Sequence, residues 1–243
     1  LADVDGNGTL DLYLCNFGVG SIFRDGVRLG FRTVNGQPQV TGRFAQRVKI
    51  VGNTMLELGE PDTLSLNDGT GRFSVVPWET ESFRDESGAP MPAPWDFGLS
   101  VQMRDLNADG HPDIYVCNDF QTPDRIWIND GRGHFRLIDP LAIRHTSAAS
   151  MGVDGADIDR DGHVDLFVVE MLARDHRDHI RQASSTELAA SKPGELDNRP
   201  QIPRNVLFWN RGDGTIAEIA DFAGLAATGW CWQPVFLDVD LDG

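Results

Sequence analysis

The chain carries, at residues 105–116, the stretch D-L-N-A-D-G-H-P-D-I-Y-V. Two further copies of this pattern run over residues 3–14 and 157–168, and a fourth begins at Asp238. In each full copy, positions 1, 3 and 5 are Asp or Asn, position 6 is Gly and position 9 is Asp. We name the copies loop 1 (residues 3–11), loop 2 (105–113), loop 3 (157–165) and loop 4 (from 238), and the rest of the chain is organised around them.

The shared positions of the loops suit a hard cation. Calcium takes about six to eight oxygen ligands, and a Gly at the sixth position allows a loop to turn sharply around the ion. Empty, such a cluster would be unfavourable, because neighbouring carboxylates disfavour each other's ionised form. We therefore predict calcium sites built from the side chains at positions 1, 3, 5 and 9 and from the backbone carbonyl at position 7. The predicted ligands are Asp3, Asp5, Asn7, Thr9 and Asp11; Asp105, Asn107, Asp109, His111 and Asp113; Asp157, Asp159, Asp161, His163 and Asp165; and Asp238, Asp240 and Asp242.

These loops differ from an EF-hand, which closes with a bidentate Glu at position 12. Position 12 is Leu14, Val116 or Val168 here, and the closing acid comes at position 9. The residues after that acid are apolar and rich in β-branched or aromatic side chains, which predicts a strand rather than a helix. The alternative, an Asp- and Gly-rich surface turn without metal, requires no such repeated ligand spacing.

A second repeated motif sets the period of the chain. Gly-rich turns occupy residues 67–73, 129–135 and 210–216, and each follows a short apolar run, which predicts a β-hairpin. Loop 2 begins 24 residues before the second turn, and loop 3 begins 28 residues after it, so the unit is 52 residues long. A period of this length with about four strands per unit is typical of propeller blades.

The predicted fold is all-β: a partial β-propeller of about three four-stranded blades plus a fragment of a fourth, with loop insertions. We expect the chain to be a fragment of a single propeller domain, forming an open arc, with loop 4 binding calcium weakly or not at all. The expected blades are about 1–95, 96–147 and 148–228, with the start of the next at 229–243.

Departures from the 52-residue period locate the insertions, and apolar or small residues before each loop indicate the innermost strands. We expect insertions at about 19–60, with an extra hairpin at Asn35-Gly36, and at about 172–203, with a helix in its middle. Repeat proteins place such insertions on one face, often the binding face. The apolar or small residues that enter each loop, 99–103, 151–156 and 235–237, are expected to form innermost strands.

With these motifs in hand, the chain resembles the FG-GAP/VCBS family of calcium-loop β-propellers, which includes the heads of integrin α-subunits. Four further stretches resemble the cartilage-acidic-protein (ASPIC/UnbV-type) branch: W-D-F-G-L-S (95–100), D-F (119–120), N-R-P-Q (198–201) and W-C-W-Q-P-V-F-L-D (230–238). The resemblance implies an exported propeller used for binding or adhesion, with calcium as a structural ion. It also implies a secreted, periplasmic or cell-surface location and an extracellular protein or glycan as partner.

Composition limits the functional classes. The net charge of −16 argues against nucleic acid, which binds basic faces, and no apolar run approaches the roughly 18 residues of a membrane span. The sequence contains no nucleophile elbow or phosphate-binding loop, and we expect no catalytic residues. Two classes stay open: a non-catalytic calcium-stabilised binding module, which is favoured, and a propeller enzyme acting on extracellular polysaccharide as a lyase or glycosidase.

Overall fold

The computed structural model describes residues 1–78, 80–120, 122–183 and 199–240. None of the helices in these residues is long and apolar enough to cross a membrane. The elements, in chain order, are β1 (Leu12–Leu14), β2 (Gly30–Val34), β3 (Gln37–Thr41), β4 (Val48–Val51), β5 (Thr54–Glu57), β6 (Thr63–Asn67), β7 (Phe73–Val75), β8 (Phe83–Arg84), β9 (Gly98–Arg104), β10 (Asp113–Asn118), β11 (Arg125–Asn129), β12 (Phe135–Leu137), β13 (Thr146–Ser147), β14 (Gly152–Ala156), β15 (Asp165–Val169), α1 (His176–Ala183), β16 (Gln201–Ile202), β17 (Val206–Asn210) and β18 (Ile216–Glu218).

Each repeat forms its own sheet. The first sheet has the order β1-β6-β7, the second β8-β12-β11-β10-β9, and the third β14-β15-β17-β18. Neighbours within these sheets are antiparallel, except that β8 runs parallel to β12. Strand β8 lies within the first expected blade but pairs with the sheet of the second repeat. The all-β expectation is confirmed.

The three Gly-rich turns join hairpins, as their sequences predict. The pairs are β6–β7, β11–β12 and β17–β18, and each closes on its motif Asn, with Asn129 opposite Phe135 in the second repeat. The strands that leave loops 1–3 also form where the apolar residues predict them. Local sequence patterns therefore locate most of the strands of the three sheets.

The insertions contain more structure than expected. The first holds two hairpins rather than one, β2–β3 and β4–β5. Asn35 and Gly36 have φ values of 51° and 77° in the turn of the first hairpin, which suits a type I′ turn with positive φ at both central residues. In the second insertion, α1 lies near the beginning rather than in the middle where a helix was predicted, and residues 184–198 lie outside the described part of the chain.

The predicted innermost strand at residues 235–237 is wrong, because these residues form no strand. The segment still lies along β14: Gln233 Nε2 donates to the carbonyl oxygen of Val153 at 3.0 Å. However, the N–H of Phe236 donates to a side-chain oxygen of Asp154 at 2.8 Å, and not to a strand carbonyl. Pro234, which has no N–H to donate, interrupts the segment just before it.

Two apolar cores join the sheets in sequence. The first packs the first sheet against the second around Trp127 and Phe83, which are fully buried. The second packs the second sheet against the third around Tyr115 and Phe208. The second residue of loop 1, Val4, belongs to the first core, and its counterpart in loop 2, Leu106, belongs to the second. Burial of such a side chain contributes about 1.5–3 kcal/mol, so the packing of the sheets also holds the loops.

A buried carboxylate anchors the far end of β10. Asp124 Oδ2 accepts hydrogen bonds from the hydroxyls of Tyr115, at 2.6 Å, and Ser150, at 2.7 Å. Its Oδ1 accepts the N–H of Asn118 at 2.8 Å. The first repeat uses the same arrangement, in which Tyr13 donates to Asp62. The third repeat has Phe167 and Asn205 at the corresponding positions, so the carboxylate is absent where no phenol donates to it.

Protonation of Asp124 should make stability depend on pH. Burial raises the pKa of Asp124 to about 7, although its hydrogen bonds and the charge of Arg199 favour ionisation. Between about pH 4 and pH 7 the folded protein then holds a proton that the unfolded chain has released, so the free energy of unfolding falls as pH rises. Asp124→Asn stays neutral, so its free energy of unfolding relative to the wild type should rise by more than about 1 kcal/mol across this window.

Urea unfolding in chelator from pH 4.5 to 7.5 measures this difference. The matched control is Asp85→Asn, because Asp85 is partly exposed and hydrogen bonds from Ser87 and Ala89 lower its pKa. The free energy of unfolding of this control, relative to the wild type, should not rise with pH. Parallel stability profiles for wild type and Asp124→Asn would show that Asp124 is ionised throughout.

Candidate metal centre

Loops 2 and 3 connect paired antiparallel strands at the same end of their sheets. Loop 2 joins β9 to β10 and loop 3 joins β14 to β15; loop 1 leads into β1, with an isolated bridge between Ala2 and Asp11. The turn within each loop needs left-handed backbone at position 6, where Gly162 has a φ of 91°. Position 4 is also left-handed, although it is Ala108 in loop 2 and Arg160 in loop 3. Such strain in non-Gly residues is concentrated at functional sites.

The first carboxylate of each loop organises the turn. In loop 1, Asp3 Oδ2 accepts the N–H of Gly8 at 2.8 Å, and Oδ1 accepts the N–H groups of Gly6 and Asn7. Asp105 and Asp157 bond their own position-6 glycines in the same way, both at 2.8 Å. The carboxylate therefore faces the inside of the loop, where its remaining lone pairs can serve as ligands.

The closing carboxylate at position 9 is buried in all three loops. In loop 2, Asp113 Oδ2 accepts the N–H of Leu106 at 2.9 Å, and Oδ1 accepts the N–H of Asn129 at 2.8 Å. Loops 1 and 3 repeat both bonds. Position 9 thus ties the loop to the hairpin turn of its own repeat.

Three carboxylates converge in loop 1 and again in loop 3. One oxygen from each of Asp3, Asp5 and Asp11 lies within 4.8 Å of the other two, and Asp157, Asp159 and Asp165 form the same group. This is an oxygen-only donor set with a formal charge of −3, which fits a hard divalent cation such as calcium. The residues present therefore fit the ion that the spacing predicts.

Two parts of the predicted sites do not show this convergence: loop 2, and the side chain at position 5 of each loop. Loop 2 has the amide of Asn107 at position 3, and its carboxylates form no such group of three within the described residues. The fifth side chain instead accepts the N–H of position 7, as Asp161 does from His163 at 2.8 Å. Coordination by all of the predicted ligands stays a prediction, including Asn7, Asp109 and Asp161 and the carbonyls of Thr9, His111 and His163.

Burial and neighbouring acids raise the pKa of two closing carboxylates, Asp113 and Asp165. Burial raises the pKa of Asp113 to about 7, and the charges of Asp109 and Asp105 raise it further, against the hydrogen bonds from Asn129 and Leu106. The pKa of Asp165 is also raised, by burial and then by Asp159 and Asp161. A bound cation would offset this repulsion and favour the ionised forms.

The histidine side chains at position 7 have a packing role. A Cβ built on Gly131 would lie 2.4 Å from the ring of His111, and one built on Gly212 would lie 2.1 Å from His163 Nε2. The rings therefore lie directly against the glycines of the hairpin turns. The side chains are thus engaged in packing, and the carbonyls of position 7 remain the predicted ligands.

Loop 3 has one feature that the sequence did not reveal. The indole Nε1 of Trp209 donates to Asp159 Oδ2 at 2.7 Å, so an aromatic side chain directly contacts a predicted ligand.

In loop 4, Asp238 and Asp240 are exposed and belong to no carboxylate group of three among the described residues. Asp242 lies outside the described residues.

The two tyrosines bear on the enzymatic alternative. The chain has only two, Tyr13 and Tyr115, and both hydroxyls donate to buried carboxylates. Burial raises the pKa of both phenols well above the usual value. Neither can serve as the tyrosine base of a polysaccharide lyase.

Comparison with known families places the central repeat. Residues 105–168, from loop 2 through most of β15, match the FG-GAP-like repeat family. This repeat is typical of binding modules that are generally non-catalytic. No curated protein matches the chain.

The glycines of the third turn allow a direct test of the histidine packing. Gly212 and Gly214 have φ values of 68° and 82°, so replacing either with Ala costs about 1–2 kcal/mol of backbone strain. Only Gly212→Ala would also displace the ring of His163, since nothing lies within 4 Å of a Cβ on Gly214. Thermal unfolding should therefore show the larger loss for Gly212→Ala.

The cause is checked in a His163→Ala background. There the difference between the two glycine variants should disappear, because the ring is gone. A difference that persists without the imidazole would place its origin elsewhere in the turn.

Proposed function

We propose that this chain is a calcium-binding β-propeller module of the FG-GAP type that binds a protein or glycan partner outside the cell. The convergence of three carboxylates at repeated ligand positions in loops 1 and 3 is the observation that carries the proposal. The family match over the central repeat supports a binding rather than a catalytic role. The three successive sheets, each built around the hairpin of one repeat, support a propeller arrangement that resembles integrin α heads and the ASPIC/UnbV branch.

The proposed role of calcium is structural. Asp3, Asp5 and Asp11 would hold it in loop 1, with their counterparts in loops 2 and 3, and its charge would neutralise the clustered carboxylates. Hydrogen bonds within the chain hold each loop in place. Each closing carboxylate holds the second residue of its loop and the Asn of its hairpin turn, which fixes the loop on the sheet. The partner surface would then be presented by the connections and insertions between rigid sheets.

The enzymatic alternative has less support. A lyase or glycosidase needs acid and base groups that converge on a substrate, and both tyrosines are bonded in the core. The proposed location, secreted, periplasmic or at the cell surface, accords with a structural calcium role, because calcium sites of modest affinity are typical of extracellular modules.

Calcium binding is tested by calorimetry on metal-stripped protein. We expect at least two exothermic or endothermic binding events for calcium and a higher unfolding temperature, since a ligand that binds only the folded state stabilises it. Magnesium, which prefers strict octahedral geometry, should bind more weakly. Heat with magnesium alone, or none with either ion, would contradict the proposal.

The charge of each loop should rank the affinities. Loop 3 offers four carboxylates, Asp157, Asp159, Asp161 and Asp165, whereas loops 1 and 2 offer three each. Calcium affinity rises with ligand charge, so Asp159→Ala should reduce the calcium-dependent gain in unfolding temperature more than Asp5→Ala. Measuring both variants in chelator as well subtracts the loss of the Trp209 hydrogen bond. Equal or reversed losses would mean that loop rigidity sets the order.

A further inference from the structure

Each Gly-rich turn begins with an Asn, at position 67, 129 or 210. In the second repeat, the backbone N–H of Asn129 donates to Asp113, and its Oδ1 accepts the N–H of Gly131. One hydrogen of its Nδ2 reaches the carbonyl of Pro112, at position 8 of its own loop, at 3.1 Å. These bonds remain within one repeat and explain why a hairpin turn here begins with an amide side chain.

The same amide nitrogen also donates a hydrogen bond to a neighbouring repeat. Asn129 Nδ2 donates to the carbonyl of Val4, in loop 1, at 3.0 Å, and this bond spans 125 residues of sequence. In the third repeat, Asn210 Nδ2 donates to the carbonyl of Leu106, in loop 2, at 2.7 Å. Val4 and Leu106 both occupy position 2 of their loops. Both asparagines are almost fully buried, so these bonds are shielded from competing water.

These bonds join the closing carboxylates into one continuous path. Asp165 accepts the N–H of Asn210, Asn210 donates to the carbonyl of Leu106, and the N–H of Leu106 donates to Asp113. The path then continues from Asp113 through Asn129 and Val4 to Asp11. Every link measures 2.7–3.0 Å.

We propose that Asn129 and Asn210 are positioning residues that couple each calcium loop to the next, so that filling one loop raises the affinity of its neighbour. The inference rests on the proposed function, because it assumes that the loops bind calcium. An ion that orders loop 2 also fixes the carbonyl of Leu106, which holds Asn210 and hence the closing Asp165 of loop 3. By thermodynamic linkage the effect is reciprocal.

Loop 3 contains its own reporter for this coupling. Trp209 contacts Asp159, and its excited indole can sensitise the luminescence of terbium, a hard ion that takes oxygen ligands as calcium does. Luminescence that is lost in Asp159→Ala therefore reports loop 3. Absence of any such luminescence in the wild-type protein would overturn the calcium proposal itself, and this inference with it.

The coupling is measured as a double-mutant cycle. Loop 2 is disabled by Asp109→Ala, whose side chain is exposed, and the terbium affinity of loop 3 is compared with and without Asn210→Ala. Disabling loop 2 should weaken loop 3 about fivefold when Asn210 is present and leave it unchanged when Asn210 is Ala. Equal weakening in both backgrounds, or no weakening in either, would overturn the coupling while leaving calcium binding intact.

Two controls separate coupling from general effects. Asn67 makes the own-repeat bonds, to Asp11, Leu10 and Gly69, but within the described residues its Nδ2 makes no hydrogen bond to another repeat. Asn67→Ala must therefore leave the effect of loop 2 on loop 3 unchanged. Asp130→Asn removes one exposed charge from the second repeat without altering loop 2, and it must not weaken loop 3. Failure of either control would mean that unfolding or long-range charge produces the effect.

Discussion

A buried carboxylate that accepts two backbone N–H groups is the interaction on which the structure of each repeat depends. Asp11, Asp113 and Asp165 all hold position 2 of their loop with one oxygen and the turn Asn with the other. A carboxylate buried without partners would be very costly, but hydrogen bonds to an ionised acceptor are about twice as strong as neutral ones. The acid therefore closes the loop and also fixes the loop against its hairpin.

The sequence predicts the elements whose determinants are local. The spacing of Asp and Gly locates the loops, the apolar residues after the closing acid predict β1, β10 and β15, and the Gly-rich turns predict three hairpins. These patterns work because a tight turn restricts which residues fit, and because strand residues alternate between two environments. The 52-residue period assigns one sheet to each repeat, and the structure has three such sheets, except that β8 joins the sheet of the repeat after its own.

The remaining features depend on contacts between residues far apart in sequence. Asn210 reaches Leu106 across 104 residues, and its motif predicted only a turn. Strand β8 joins the sheet of the following repeat, and Trp209 reaches Asp159, neither of which has a local signal. The segment 235–237 has a strand-like composition but is bonded by a side chain of β14. The sequence did carry a signal for the two buried carboxylates that accept the tyrosine hydroxyls, since Pro-Asp precedes both β6 and β11 at residues 61–62 and 123–124.

The proposed function depends on calcium being held by the carboxylates of the loops. It is tested most directly by a crystal structure of the protein grown with calcium, with an anomalous difference map calculated from long-wavelength data. We expect anomalous peaks inside loops 1, 2 and 3, with carboxylate oxygens of positions 1 and 9 at about 2.3–2.6 Å. Loops without anomalous density at saturating calcium, with their carboxylates bonded only to the backbone, would contradict it.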